Sequence, residues 1–189
     1  GHLGAGDAWN GPALYVEGST LYLAVRCLAL GDGGAPIEED SDLLVFSAAI
    51  ADSPGDPHEW TWRYRGVLAG AAEAAELDGQ ATGLTEVDVA SAPDGTLLAV
   101  VTTDSFNRAA QNFQHYGCFA VSARLDRPAL QRIDGRLAVR ASATASDNSP
   151  LGPGACAYAA TTGLVLVRRD FSRGRGFVAS LHVTGQLTR

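Results

Sequence analysis

One pattern recurs along this chain: a short strand-like run, a tight turn carrying glycine, and a second, more aliphatic run. VEGSTLYLAV, APDGTLLAVV and AATTGLVLVRR are three instances, at residues 16–25, 92–101 and 159–169. In each, a polar excursion follows and further strand-like runs come after it. Short apolar or alternating runs bounded by Gly, Pro, Asp and Asn are the signature of strands and turns. Helix-forming sequence is confined to AGAAEAAEL at residues 69–77, which is short and is followed by Gly79, so a single helical turn inside a connection is expected. The spacing divides the chain into three units, residues 11–69, 84–133 and 136–185. Units of roughly 45–60 residues with four strands each have the size of propeller blades. The expected fold is therefore all-β and propeller-like, with about three four-stranded antiparallel blades in one domain. A plain β-sandwich also has many short strands, but it does not repeat this order.

Composition excludes several function classes. Hydrophobic residues make up 46% and charged residues 19%, which is a globular balance. The net charge is −7 and lysine is absent, so the 14 basic residues are all arginine and are scattered. That argues against nonspecific nucleic-acid binding, which needs a basic stripe. The cluster Arg168, Arg169, Arg173 and Arg175 reads as a solvated turn. No apolar run approaches the roughly 18 residues of a membrane helix, and Arg26 interrupts the longest. No partner of either kind is expected. The lysine-free, Ala- and Gly-rich composition points to a GC-rich bacterial genome.

Cys27, Cys118 and Cys156 lack CxxC spacing, so a zinc ribbon is not expected. Each lies in an apolar run, which predicts buried thiols; one disulfide with one thiol left over is the alternative. No P-loop, GxGxxG, HExxH, GxSxG or EF-hand loop is present, so neither a cofactor nor a metal is expected.

The segments WNGPALYVEGSTLYLAVRC, LLVFSAA and HEWTWRYRGVLAG resemble blades of the five-bladed propeller glycosidases of the arabinanase, xylosidase and levansucrase type. The resemblance is clearest over residues 9–68 and weaker over residues 84–185. It implies a channel-lining first strand in each blade and a carbohydrate ligand. In that family the general acid precedes the Gly-Pro pair, where this chain has Asn10. An amide cannot donate a proton as a carboxylic acid does. The resemblance thus implies sugar binding or weak hydrolysis rather than strong catalysis.

Residues opening the first strand of each unit are the natural site. Aligning Thr20 with Thr96 places Asn10 opposite Glu86. Glu86 and Asp88 alternate with Val87 and Val89, which predicts both acids on one side. Glu86 is the first catalytic candidate; its plain alternative is a paired or edge-strand acid. Asp147 and Asp7 are the other two, although an Asp before Asn-Ser-Pro commonly forms a turn. Glycosidase chemistry needs two carboxyls about 5–9.5 Å apart. Candidate substrate-binding residues are Asn10, Trp9, Asp88, His115 and Tyr116. A lone histidine such as His115 is more often a surface or core residue than a ligand; the family resemblance implies a cation near the channel with a histidine close by, which adds His115 to the candidates. Trp9, Phe106, Phe113 and Tyr116 are candidate stacking platforms, whereas Trp60 and Trp62 read as packing in a strand at residues 60–68.

Closed propellers have about four to eight blades, more than three units supply. Either the chain is part of something longer, or copies complete the ring. The expectation is a homo-oligomer, most simply a dimer, joined near residues 9–17 and 177–184. On this alternative reading the chain is an assembly module.

Overall fold

The computed structural model describes residues 8–144, 153–161, 163–170 and 178–184. It is an all-β, propeller-like stack of antiparallel sheets. The first sheet is a meander of β1 (Ala8–Glu17), β2 (Thr20–Leu30), β3 (Pro36–Ala49) and β4 (Arg63–Ala69). A short helix α1 (Ala71–Leu77) leads into the second sheet, built from β5 (Gly83–Ser91), β6 (Leu97–Asn107) and β7 (Asn112–Arg124). The small strand β8 (Ala129–Leu130) also pairs with β7, and β9 (Arg132–Ile133) pairs with β10 (Arg136–Leu137). Then β11 (Val139–Thr144) adds to the free side of β7. The third sheet comprises β12 (Pro153–Ala159), β13 (Gly163–Asp170) and β14 (Val178–Thr184).

Two boundaries differ from the sequence reading. Residues 139–144 belong to the second sheet, because Ala141 and Ala143 pack into the apolar layer between the second and third sheets. The outer strand of the first sheet begins at Arg63, and Trp60 and Trp62 precede it. The expected helical turn is α1, where the Gly70 backbone N–H donates to the Glu73 carboxylate at 3.0 Å.

The second sheet is the middle layer of the stack, and its sequence shows it. Ala99, Val101, Phe119 and Val121 pack toward the first sheet. The intervening Leu98, Val100, Cys118 and Ala120 pack toward Cys156 and Tyr158 of the third. A strand buried on both faces needs a continuous apolar run rather than alternation, and LLAVV and GCFAV are such runs. A disulfide joins Cys118 to Cys156, with Cα atoms 6.2 Å apart, and so ties β7 to β12. This corrects the expectation of three buried thiols: all three cysteines are buried, but two are bonded to each other.

The first strand of each sheet lies next to that of its neighbour, β1 against β5 and β5 against β12. Each carries a one-residue irregularity at a corresponding place: between Asn10 and Ala13, between Thr85 and Asp88, and between Pro153 and Cys156. The repeat seen in the sequence is therefore a repeat of backbone geometry.

Candidate functional site

Arg26 stands in the middle of an apolar strand, and the fold answers its charge with two acids. Its side chain is 1% exposed, with Glu38 of β3 at 2% and Asp104 of β6 at 0%. Arg26 Nη2 donates to Glu38 Oε1 at 2.9 Å, and Nη1 donates to Asp104 Oδ2 at 3.2 Å. Thr82 Oγ1 donates to the other Glu38 oxygen at 2.6 Å. The Phe113 ring covers the guanidinium, with its centroid 5.2 Å from Arg26 Cζ. The cluster spans the first two sheets, because Arg26 and Glu38 come from one and Asp104 from the other.

Gly83 makes the cluster possible. A Cβ there would lie 3.1 Å from Asp104 Oδ1, 3.2 Å from Arg26 Nη2 and 3.2 Å from Glu38 Cβ. Burial pushes the Asp104 carboxyl up to about 7; Arg26 opposes the rise and Glu38 adds to it. Of the two acids facing Arg26, Asp104 is thus one whose protonated form burial favours. Arg26 Nε and Asp104 Oδ1 are buried with no hydrogen-bond partner among the described residues. The recess beside the cluster, walled by Glu38, Glu39, Thr82, Phe106 and Arg108, holds about 30 Å³. That is roughly the share of one water molecule in the liquid. This arrangement can hold a proton and join two sheets. It does not admit a sugar ring.

The residues singled out from the sequence fall around this cluster in different ways. Asn10 pairs in register with Arg26 across β1 and β2. His115, half-buried, pairs in register with Asp104 across β6 and β7. The Tyr116 hydroxyl is 2.6 Å from Ser105 Oγ, and its ring packs on the core. Trp9 is exposed and its ring meets Phe46 at 6.1 Å. Asp7 and Asp147 lie outside the described residues.

Glu86 does not stand opposite Asn10. The turn of the first hairpin has Gly18 and Ser19 between Glu17 and Thr20, whereas Pro93, Asp94 and Gly95 separate Ala92 from Thr96. The extra residue moves β5 by one position, so Glu86 corresponds to Gly11 and Thr85 to Asn10. The two irregularities nest: a Cβ on Gly11 would lie 3.6 Å from the Glu86 Cα. Glu86 is half-buried with φ of 51°, a left-handed conformation uncommon outside glycine. Val87 and Val89 do share the core side, as expected from their alternation. Asp88 turns toward the third sheet. Burial raises its pKa, while the backbone N–H groups of Val89 and Tyr158 donate to it and oppose the rise. The irregularity between Thr85 and Asp88 contains Glu86, so this residue does not sit in a regular strand.

The sequence reading passed over Arg26, Glu38 and Asp104 as a group. The signal was the lone charge inside LYLAVRCLAL, because a buried arginine requires a buried counter-charge.

Among the described residues, no group of three or more His, Cys, Asp or Glu side chains is placed to hold a metal ion. No helix among them is long and apolar enough to cross a membrane. No family model matches this sequence, and no curated protein matches it. Among solved structures, the chain is similar to an exo-1,5-alpha-L-arabinanase from a bovine ruminal metagenomic library. That alignment covers 93% of this chain and 79% of the other, at 12% identity and a TM-score of 0.37.

Proposed function

We propose that this chain binds carbohydrate through its propeller-like stack and does not hydrolyse it efficiently. The observation that carries the second half is the state of Glu38 and Asp104. Both are spent on Arg26, and the recess beside them has room for about one water molecule. A glycosidase needs two carboxyls with space between them for a glycosidic bond. Asn10, at the place where the resembled glycosidases carry their acid, points the same way. The resemblance of residues 9–68 to glycosidase blades supports carbohydrate as the ligand class. The test is to measure retention by polysaccharides and release of reducing ends with the same protein. Binding without release is expected. Robust release that disappears in Glu86→Gln would overturn the reading.

A second reading is favoured by the outer face of the first sheet. Leu14, Leu23, Phe46 and Tyr64 lie in register across all four strands on the side away from the second sheet. Leu14 is 62% exposed and Val16 56%. Contiguous exposed apolar surface of this kind marks an interaction site. A second copy covering it, as in a dimer that extends the stack, would make this an assembly module. Sedimentation across a concentration series separates the two readings. A concentration-dependent dimer that Leu14→Glu dissolves supports assembly, and a monomer at all concentrations excludes it.

A further inference from the structure

The connection between β3 and β4 is folded into a wall rather than left as a loose loop. The Trp60 indole N–H donates to the Pro54 carbonyl at 2.7 Å, and its ring stacks on Trp62 at 6.1 Å and 26°. A 3₁₀ turn at Pro57–Glu59 is capped by Asp56, whose carboxylate accepts the His58 backbone N–H at 2.9 Å. Ser53 Oγ donates to the Ala49 carbonyl, and Ile50 N–H to the Ser19 carbonyl at 2.8 Å. The Ser53 and Ile50 bonds hold the start of the connection to the sheet, and the Trp60 bond closes the connection on itself.

Beneath this wall the strands of the first sheet run past the apolar core. Along β2 the core-facing side reads Ala24, Tyr22, Thr20, and along β3 it reads Val45, Ser47, Ala49. The polar ends continue the core face as the floor of a cavity of about 540 Å³. Arg63, paired with Ser47, and Arg65, the extra residue in the β4 irregularity, both border it. Asp52 and Glu59 line it from the connection. The volume lies within the roughly 300–1,000 Å³ of small-molecule sites.

We infer that this cavity is a saccharide-binding site for a neutral oligosaccharide; the inference rests on the carbohydrate reading above and gives it a place. A sugar hydroxyl donates one hydrogen bond and accepts others, so it suits a surface that mixes both roles. Asp52 and Glu59 are acceptors, Arg63 and Arg65 are donors, and Ser47 and Thr61 act as either. Two acids balance two arginines, which disfavours a strongly anionic or cationic ligand. The cavity lies at the far hairpin end of the first sheet and shares none of its lining with the Arg26 cluster.

The test is a titration of the full chain with cellotriose, xylotriose, arabinotriose and digalacturonate. Affinity is read by calorimetry and the indole N–H signals by NMR. A neutral trisaccharide should bind and shift the Trp60 and Trp62 signals while leaving Trp9 in place. Arg65→Ala and Asp52→Asn should each weaken it about tenfold or more, the value of a hydrogen bond to a charged group. Both positions are exposed, and an unchanged far-ultraviolet spectrum certifies that each variant folds. Glu86→Gln should bind as the parent does. Binding lost in Glu86→Gln and kept in Arg65→Ala and Asp52→Asn would overturn this site while sparing the carbohydrate reading. Tighter binding of digalacturonate than of every neutral sugar would overturn the ligand class. No binding by any of the four would overturn both.

Discussion

Arg26 and Asp104 meet across the first and second sheets at 3.2 Å, with both side chains withdrawn from solvent. The pair joins elements 78 residues apart, and Glu38 completes it from the same sheet as Arg26. Arg26→Met should therefore destabilise the fold by about 3–5 kcal/mol, because it strands two buried acids. Replacing all three charges, Arg26→Met with Glu38→Gln and Asp104→Asn, should recover much of that loss. Urea unfolding of the two variants checks this. Equal stability of the single variant and the parent would show that the cluster is not held as described.

The same cluster gives stability a pH dependence. Burial raises the Asp104 pKa from 3.8 to about 7 in the folded chain, so folding favours its protonated form. This contribution is present in full below the unfolded value and is lost as pH rises through about 7. The melting temperature should fall over that window for this reason, and Asp104→Asn should flatten the fall. A parent and variant with parallel profiles would contradict the assignment.

Gly83→Ala tests how tightly the cluster is enclosed. The added Cβ would come within 3.1–3.2 Å of atoms from all three charged residues. Overpacking of this kind costs typically about 1–3 kcal/mol. A neutral substitution would mean that the charged side chains can retreat.

The covalent tie between the second and third sheets is tested separately. Peptide mapping without reduction should recover Cys118 linked to Cys156. Cys156→Ala should cost about 2–4 kcal/mol, in the range for native disulfides. Recovery of both residues as thiols would contradict the pairing.

These tests also mark where the sequence could be read and where it could not. The apolar runs of β6 and β7 identified strands, because a strand buried on both faces admits few polar residues. The threefold recurrence was legible because each sheet opens with the same hairpin. The position of Glu86 was not, since a turn of Pro93-Asp94-Gly95 differs by one residue from Gly18-Ser19, and one residue reverses a strand's faces. The irregularities in β1 and β5 leave no mark in composition. The cluster needed the pairing of Arg26 with residues 12 and 78 positions away, and spacing alone does not supply that. Nor did the sequence show that the Trp60 indole closes the connection between β3 and β4 on Pro54.

Carbohydrate binding without hydrolysis is open to test on a single sample. The most direct measurement is affinity electrophoresis through gels cast with xylan, arabinan or mixed-linkage β-glucan, with reducing ends assayed on the same material. Retardation in at least one gel, with no release of reducing ends above the protein-free control, is the predicted result. Unretarded migration in all three, or catalytic release from any of them, would contradict it.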